Sequence, residues 1–425
     1  MKIKTRPLSY AEVCRLPRAK HLPPRVPSRF FRWLPRLIGA GDLKNANFSY
    51  TVHGTEKAGG APRLILMNHS AFIDLEAAAK ILADRPYHIV CTSDGFVGKE
   101  WLMRSLGCIP TKKFISDIQL IRDMKRAPAD ILMYPEASYS FDGTATPLPR
   151  HLGRLLKMLG RPVMMIRTHG AFLRDPLYNN LQKRAVTVTA EMYCLFSAEE
   201  VRTLPESELD EKLDEVFTFD NFAEQRERKI AVTEPFRADG LHRILYKCPC
   251  CGSEGKTEGK GVTLTCRACT AAWAMDEYGS LHQTAGGGVP AGYDFTHIPS
   301  WYAWERACVR EEIRAGSYRL DAECEVGVLA DTKALYKVGR GRLTHTAAGF
   351  TLTGIDGTSS AGLNFRSSAR AQYSLYADYF WYELGDVICI GDPNTLYYCF
   401  PPAEVPVAKA RLAQEETYKI ISSEQ

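Results

Sequence analysis

No apolar stretch in this chain approaches the roughly 20 residues that cross a bilayer as a helix. That leaves no candidate for a helical span. The start is basic but has no apolar core behind it, so no secretory signal is expected. No internal repeat is visible either. The chain also lacks a strong overall charge: 54 Lys and Arg stand against 49 Asp and Glu, for a net +5. Its 45% hydrophobic and 24% charged residues are ordinary for a soluble globular protein. The 13 cysteines are odd in number and scattered, unlike a secreted disulfide framework. Cys91, Cys108, Cys389 and Cys399 lie in apolar stretches and read as buried free thiols. A reducing, cytoplasmic compartment is the expectation.

What charge there is collects at one end. Residues 1–44 hold eleven Lys and Arg against Glu12 and Asp42, so this Pro/Arg-rich segment carries +9 and the remainder −4. A cationic segment suits anionic lipid or nucleic acid. Within it, Phe30, Phe31, Leu34, Leu37 and Ile38 can share one helical face, with Arg29, Arg32 and Arg36 opposite. That is the pattern of a helix lying in a membrane interface. A helix packed on its own domain is the alternative, and Pro35 would kink either one.

At 425 residues, two to four domains are expected. Residues 45–240 alternate strand-like runs (64–67, 88–91, 131–134, 163–166, 186–190) with helical ones (75–82, 101–106, 118–125, 152–159, 208–217). The alternation predicts an α/β domain with a largely parallel sheet. Residues 243–283 form a compact cysteine module, and the Gly/Pro-rich stretch 284–298 reads as a linker. Residues 299–425 read as a small all-β domain, with strands at 342–345, 350–353, 379–384, 387–390 and 396–400, closed by one helix over 407–421. Gly391-Asp392-Pro393-Asn394 is a hairpin turn between the last two strands.

The run Asn68-His69-Ser70-Ala71-Phe72-Ile73-Asp74 follows the apolar strand 64–67 and precedes a run of helix formers. On one continuous helix, side chains five residues apart point about 140° away from each other. His69 and Asp74 can therefore meet only if His69 stays in the turn and Asp74 enters the first helical turn. There a carboxylate also suits the helix dipole. A structural histidine beside a capping Asp is the bland alternative.

Three further blocks follow in order. They are Gly107-Cys108-Ile109-Pro110-Thr111-Lys112-Lys113, Tyr134-Pro135-Glu136-Ala137-Ser138-Tyr139-Ser140 and Arg161-Pro162-Val163-Met164-Met165-Ile166. Together with His-x4-Asp they resemble the four motifs of the glycerophospholipid acyltransferase superfamily, which includes the 1-acylglycerol-3-phosphate acyltransferases. The resemblance covers roughly residues 45–200. It implies transfer of a fatty acyl group from a CoA or acyl-carrier-protein thioester to a hydroxyl of a lysophospholipid-like acceptor. His69 would be the base and Asp74 its orienter, fixing the imidazole tautomer. Asn68, Lys112, Lys113, Glu136 and Ser138 would contact substrate. The third block departs from the family's Pro-Glu-Gly-Thr-Arg-Ser: Ala137, Ser138 and Tyr139 replace Gly, Thr and Arg. The family arginine helps hold an acceptor phosphate, and its loss removes a bidentate clamp. Lys113 stands at the second block's Arg, with Lys112 beside it as a further point charge. An acceptor other than lysophosphatidic acid is left open.

Cys248-Pro249-Cys250-Cys251-Gly252 and Cys266-Arg267-Ala268-Cys269 give two C-x2-C knuckles fourteen residues apart. Four thiolates at this spacing suit structural Zn2+, with Cys248, Cys251, Cys266 and Cys269 as ligands and Cys250 as a spare. The first knuckle resembles that of zinc ribbons. Residues 243–280 carry five basic and four acidic groups, which argues against a surface that tracks nucleic-acid phosphates. The C-terminal strands and helix resemble pleckstrin-homology or GRAM-type lipid-binding barrels. The expectation is a peripheral enzyme on the cytoplasmic face of a membrane, with an anionic surface and an acyl carrier protein as candidate partners. The rival is a non-catalytic lipid- or protein-binding adaptor built on a degenerate acyltransferase domain.

Overall fold

The computed structural model describes residues 2–17, 21–115 and 117–423; Met1 and residues 18–20 of the basic segment lie outside them. A seven-stranded sheet carries the four sequence blocks. Its order is Ser49–His53, Thr189–Phe196, Val163–His169, Leu64–Met67, Asp130–Met133, Tyr87–Thr92, Cys108–Thr111. The last five run parallel to one another, while Thr189–Phe196 is antiparallel to Val163–His169 and takes Ser49–His53 along with it. The strand expected at 186–190 thus begins later and runs the other way. All four residues of Leu64–Met67 are fully buried, because helices cover both faces of the sheet.

The helix Arg29–Asn45 is continuous through Pro35, with no break in its helical assignment. Gly39 brings it within reach of the helix Ile73–Ile81: a Cβ at Gly39 would sit 2.9 Å from the Glu76 side chain. Its outward stripe is apolar, with Phe30, Trp33, Leu37 and Ile38 exposed, while Leu43 is buried inward. The described residues of this segment are no free tail. Thr5–Pro7 pairs in parallel with Leu335–Lys337 of the C-terminal sheet, and the Leu22 carbonyl accepts from Arg104.

The cysteine module is a four-stranded antiparallel sheet, Leu281–Ala285, Ala272–Met275, Thr263–Cys266, Thr257–Lys260. Its Trp273 meets Trp301 edge to face, with ring centroids 4.8 Å apart. Trp301 lies on the helix Ile298–Arg314, which the sequence reading placed partly in a linker and partly in an all-β region. That helix packs on the C-terminal helix Val407–Ser423 through Arg306 to Glu415 at 2.7 Å and Arg310 to Glu416 at 2.6 Å. The C-terminal helix closes the C-terminal sheet as expected, and Ile298–Arg314 packs behind it. One hydrophobic core runs from Tyr178 through Trp273 and Trp301 to Val326 and Leu412.

The C-terminal sheet orders Asn364–Ser368, Gly349–Gly354, Leu335–Thr346, Leu320–Leu329, Leu396–Phe400, Val387–Gly391, Tyr376–Asp378. The strand expected at 379–384 is instead a tight turn, with Phe380, Tyr382 and Glu383 at positive φ. The strand signal there came from aromatic density. Those rings serve packing: Trp381 stacks on Tyr398 at 4.4 Å.

Candidate active site

The strands Leu64–Met67, Asp130–Met133 and Val163–His169 are parallel neighbours, so the segments that follow them come together at one edge of the sheet. Open α/β sheets bind ligands outside the carboxyl ends of their strands. Here that edge receives the 68–74 turn, the third block and Thr168.

Asp74 lies in the first turn of the helix Ile73–Ile81 and is fully buried. Its Oδ2 accepts from the backbone N–H of Ser70 at 2.6 Å and of Ala71 at 2.9 Å, which folds the loop back over the helix start. Its Oδ1 accepts from Thr168 Oγ1 at 2.9 Å. His69 Nδ1 faces the same Oδ2 at 3.6 Å. That is an electrostatic contact, longer than a hydrogen bond. Nδ1 has no other partner. The imidazole is held between two phenol rings, Tyr134 at 4.2 Å and Tyr139 at 4.3 Å between centroids. Its side chain remains 19% exposed, so the ring is reachable.

Burial pushes the His69 imidazole below its ordinary value, and Lys113 adds to this; Asp74 pulls the other way. The ring is therefore neutral at neutral pH. With Nδ1 turned to Asp74, Nε2 is the nitrogen left to accept a proton.

Glu136 does not face an acceptor. It is fully buried, and its Oε2 accepts from the His69 backbone N–H at 2.8 Å. Its Oε1 accepts from Thr146 N–H at 2.9 Å and Thr146 Oγ1 at 3.1 Å. Glu136 is thus a clamp on the histidine turn. Burial drives its carboxyl up to about 7, against those three donors. Asn68 is likewise turned inward: its Oδ1 accepts from Thr168 N–H at 2.8 Å. Ser138 is buried, and its Oγ has no hydrogen-bond partner.

The two lysines diverge from the expected anion-holding pair. Lys112 Nζ lies 4.0 Å from Asp117. Lys113 Nζ lies 3.9 Å above the ring centroid of Tyr376, a residue of the C-terminal sheet. Sequence reasoning missed Thr168, Thr146 and Tyr376, none of which stands in a recognisable spacing, and gave no role to Tyr134 at the head of the third block. Tyr139 was visible only as a departure from a motif.

Away from this edge, the thiols of Cys248, Cys251, Cys266 and Cys269 all lie within 4.8 Å of one another. Cys248 and Cys269 approach to 3.7 Å, and Cys251 and Cys266 to 3.8 Å. A tetrahedron with metal–sulfur bonds of about 2.3 Å has corners about 3.8 Å apart, so the four sulfurs fit a metal ion. The spare Cys250 is turned instead to the Gly287 carbonyl.

Residues 49–168, which hold the strand-to-helix turn and the second and third blocks, match the family model described as Acyltransferase. Among solved structures, the 1-acyl-sn-glycerophosphate (LPA) acyltransferase PlsC from Thermotoga maritima matches with 15% identity and a TM-score of 0.34, over 44% of this chain and 76% of that one. No curated protein matches the chain. No helix among the described residues is long and apolar enough to cross a membrane.

Proposed function

We propose that the chain is a glycerophospholipid-type O-acyltransferase. It moves a fatty acyl group from a CoA or acyl-carrier-protein thioester to a hydroxyl of a lysophospholipid-like acceptor. The observation that carries this reading is the neutral, reachable imidazole of His69, 3.6 Å from a buried carboxylate on the adjoining helix.

In the reaction, His69 Nε2 takes the hydroxyl proton as the acceptor oxygen attacks the thioester carbon. The C–O bond forms and the C–S bond breaks. The thiolate leaves with the proton returned by the imidazolium, so no covalent enzyme intermediate is needed. Asp74 stabilises the imidazolium and, through Ser70 and Ala71, holds the loop that carries it. Glu136 fixes the His69 backbone.

The helix Arg29–Asn45 supports docking on an anionic membrane surface from the cytoplasmic side. Phe30, Trp33, Leu37 and Ile38 are exposed on it, and its Phe31 meets Trp101, itself 69% exposed, edge to face with centroids 5.6 Å apart. Trp33, Leu37 and Phe48 line an open hollow of about 560 Å³ together with Arg36, Lys44 and Lys80. Apolar side chains flanked by cations suit the headgroup–acyl boundary. The four-cysteine cluster holds a structural Zn2+ that pins the module's knuckles, since four thiolates leave no open position for chemistry.

The test is purified protein incubated with labelled acyl-CoA or acyl-acyl-carrier protein and a panel of lyso-lipids. A labelled diacyl product from at least one pair is expected. No product from any pair, with the fold intact, favours the adaptor.

A further inference from the structure

A base that takes a proton must have its protonated form favoured as the transition state is approached. Around His69 the carboxylates do only part of this. Asp74 already accepts from the Ser70 and Ala71 N–H groups through Oδ2 and from Thr168 Oγ1 through Oδ1. A carboxylate offers about four acceptor positions, so three are taken by loop and strand. The imidazole Nδ1 stands off at 3.6 Å, beyond hydrogen-bond length. Glu136 meets the His69 backbone N–H and Thr146, not the ring.

What lies against the ring is aromatic. Tyr134 stacks on it at 29° with centroids 4.2 Å apart, and Tyr139 lies at 41° and 4.3 Å. The backbone is bent to bring both phenols there. Ala137, between them, has φ 57°, a left-handed conformation that alanine rarely adopts, and its N–H donates to the Tyr134 carbonyl at 3.0 Å. The Ser140 N–H donates to the His69 carbonyl at 3.1 Å and ties this turn to the histidine. The Tyr134 hydroxyl is buried with no hydrogen-bond partner, so its ring and not its oxygen serves the site. A phenol face attracts a cation within about 6 Å of its centroid. Both rings are well inside that range. The neutral imidazole gains packing from them, and the imidazolium gains this attraction as well.

We propose that Tyr134 and Tyr139 are positioning residues that grip the His69 ring and stabilise its protonated form by cation–π attraction. The proposal rests on the acyltransfer reading above and adds two residues to its mechanism.

The experiment titrates His69 by NMR in the full chain with isotope-labelled histidine, its signal assigned with His69→Asn. Tyr134→Leu and Tyr139→Leu each remove a ring and keep the site apolar; Tyr134→Phe and Tyr139→Phe keep the ring. Asp74 and Lys113, the charged groups that act on the imidazole, and Glu136 at its backbone are the same in all four. Losing an attraction for the protonated form lowers the midpoint, so each Leu variant should titrate about 0.5 to 1 pH unit below the wild type. Its kcat should fall about three- to tenfold with KM nearly unchanged. The Phe variants should restore both values. Rings that served packing alone would, once lost, admit water and let the midpoint rise toward the ordinary 6.5. A midpoint that rises or stays in the Leu variants, an unchanged kcat in them, or a Phe variant that behaves like Leu overturns the proposal while leaving acyl transfer standing. Absence of transfer in the wild type would end the acyltransfer reading, and the titration would still decide whether the rings favour the imidazolium.

Discussion

The turn that carries His69 and the loop that carries Lys113 sit at the same end of one sheet, yet different stretches of chain shape their surroundings. Around His69 the partners are near in sequence or belong to neighbouring strands: Ser70, Ala71 and Asp74 in its own turn, Glu136 and Thr168 across the sheet. Around Lys113 the ring of Tyr376, 3.9 Å from the ammonium, arrives from the far C-terminal sheet. Chemistry that needs one geometry is built locally. The surroundings of Lys113, in contrast, depend on a strand far along the chain. The cysteine knuckles belong with the first kind, since two short C-x2-C runs suffice to bring four sulfurs together.

Breaking a local cluster should have the largest effect. Cys266 is fully buried. Cys266→Ser should abolish stoichiometric zinc in elemental analysis and sharply lower the thermal midpoint, because structural zinc sites contribute on the order of 10 kcal/mol. Full zinc content in the variant would remove Cys266 from the ligand set. Next comes Asp74→Asn, which puts an amide donor among the donors of Ser70, Ala71 and Thr168. Labelled-acyl assays should show kcat reduced by about 10²-fold or more; an unchanged kcat would reduce Asp74 to a helix cap. Thr168→Val strands Asp74 Oδ1 without its donor, at about 1–3 kcal/mol of stability in denaturant titrations.

The pH profile sharpens the same contrast. Protonated His69 cannot accept a proton, and its folded value lies below 6.5. The acid limb of kcat/KM should therefore fall below pH 6.5 if His69 sets it. Glu136, raised to about 7, would place the limb higher. The smallest effect is expected at the outer helix stripe. Trp33→Ser with Leu37→Ser should weaken binding to anionic vesicles while leaving the fold untouched, because both side chains are exposed. Vesicle binding equal to the wild type would retire the stripe as a lipid contact.

What could be seen in the sequence follows the same division. The strand at Leu64–Met67, the position of Asp74 in the first helical turn and the four-cysteine group all rest on short spacings with a mechanical meaning. The roles of Glu136 and Lys113 did not follow, because residue type shows what a side chain can bind but not what reaches it first. The pairing of Thr5–Pro7 with Leu335–Lys337 involves too few residues to carry a periodicity. The helix Ile298–Arg314 was hidden by the Gly/Pro-rich run before it. The turn at Trp381–Glu383 imitates a strand because Tyr379, Phe380, Trp381 and Tyr382 are residues that strands favour, while the positive φ of Phe380, Tyr382 and Glu383 follows from tertiary packing.

The most direct measurement is the single-turnover rate of His69→Ala against the wild type, with labelled acyl thioester and the best acceptor, on protein whose thermal midpoint is checked in parallel. General-base catalysis predicts a loss of about 10²- to 10⁴-fold with the fold retained. A variant that folds and transfers acyl groups at the wild-type rate would contradict a proton-accepting role for His69.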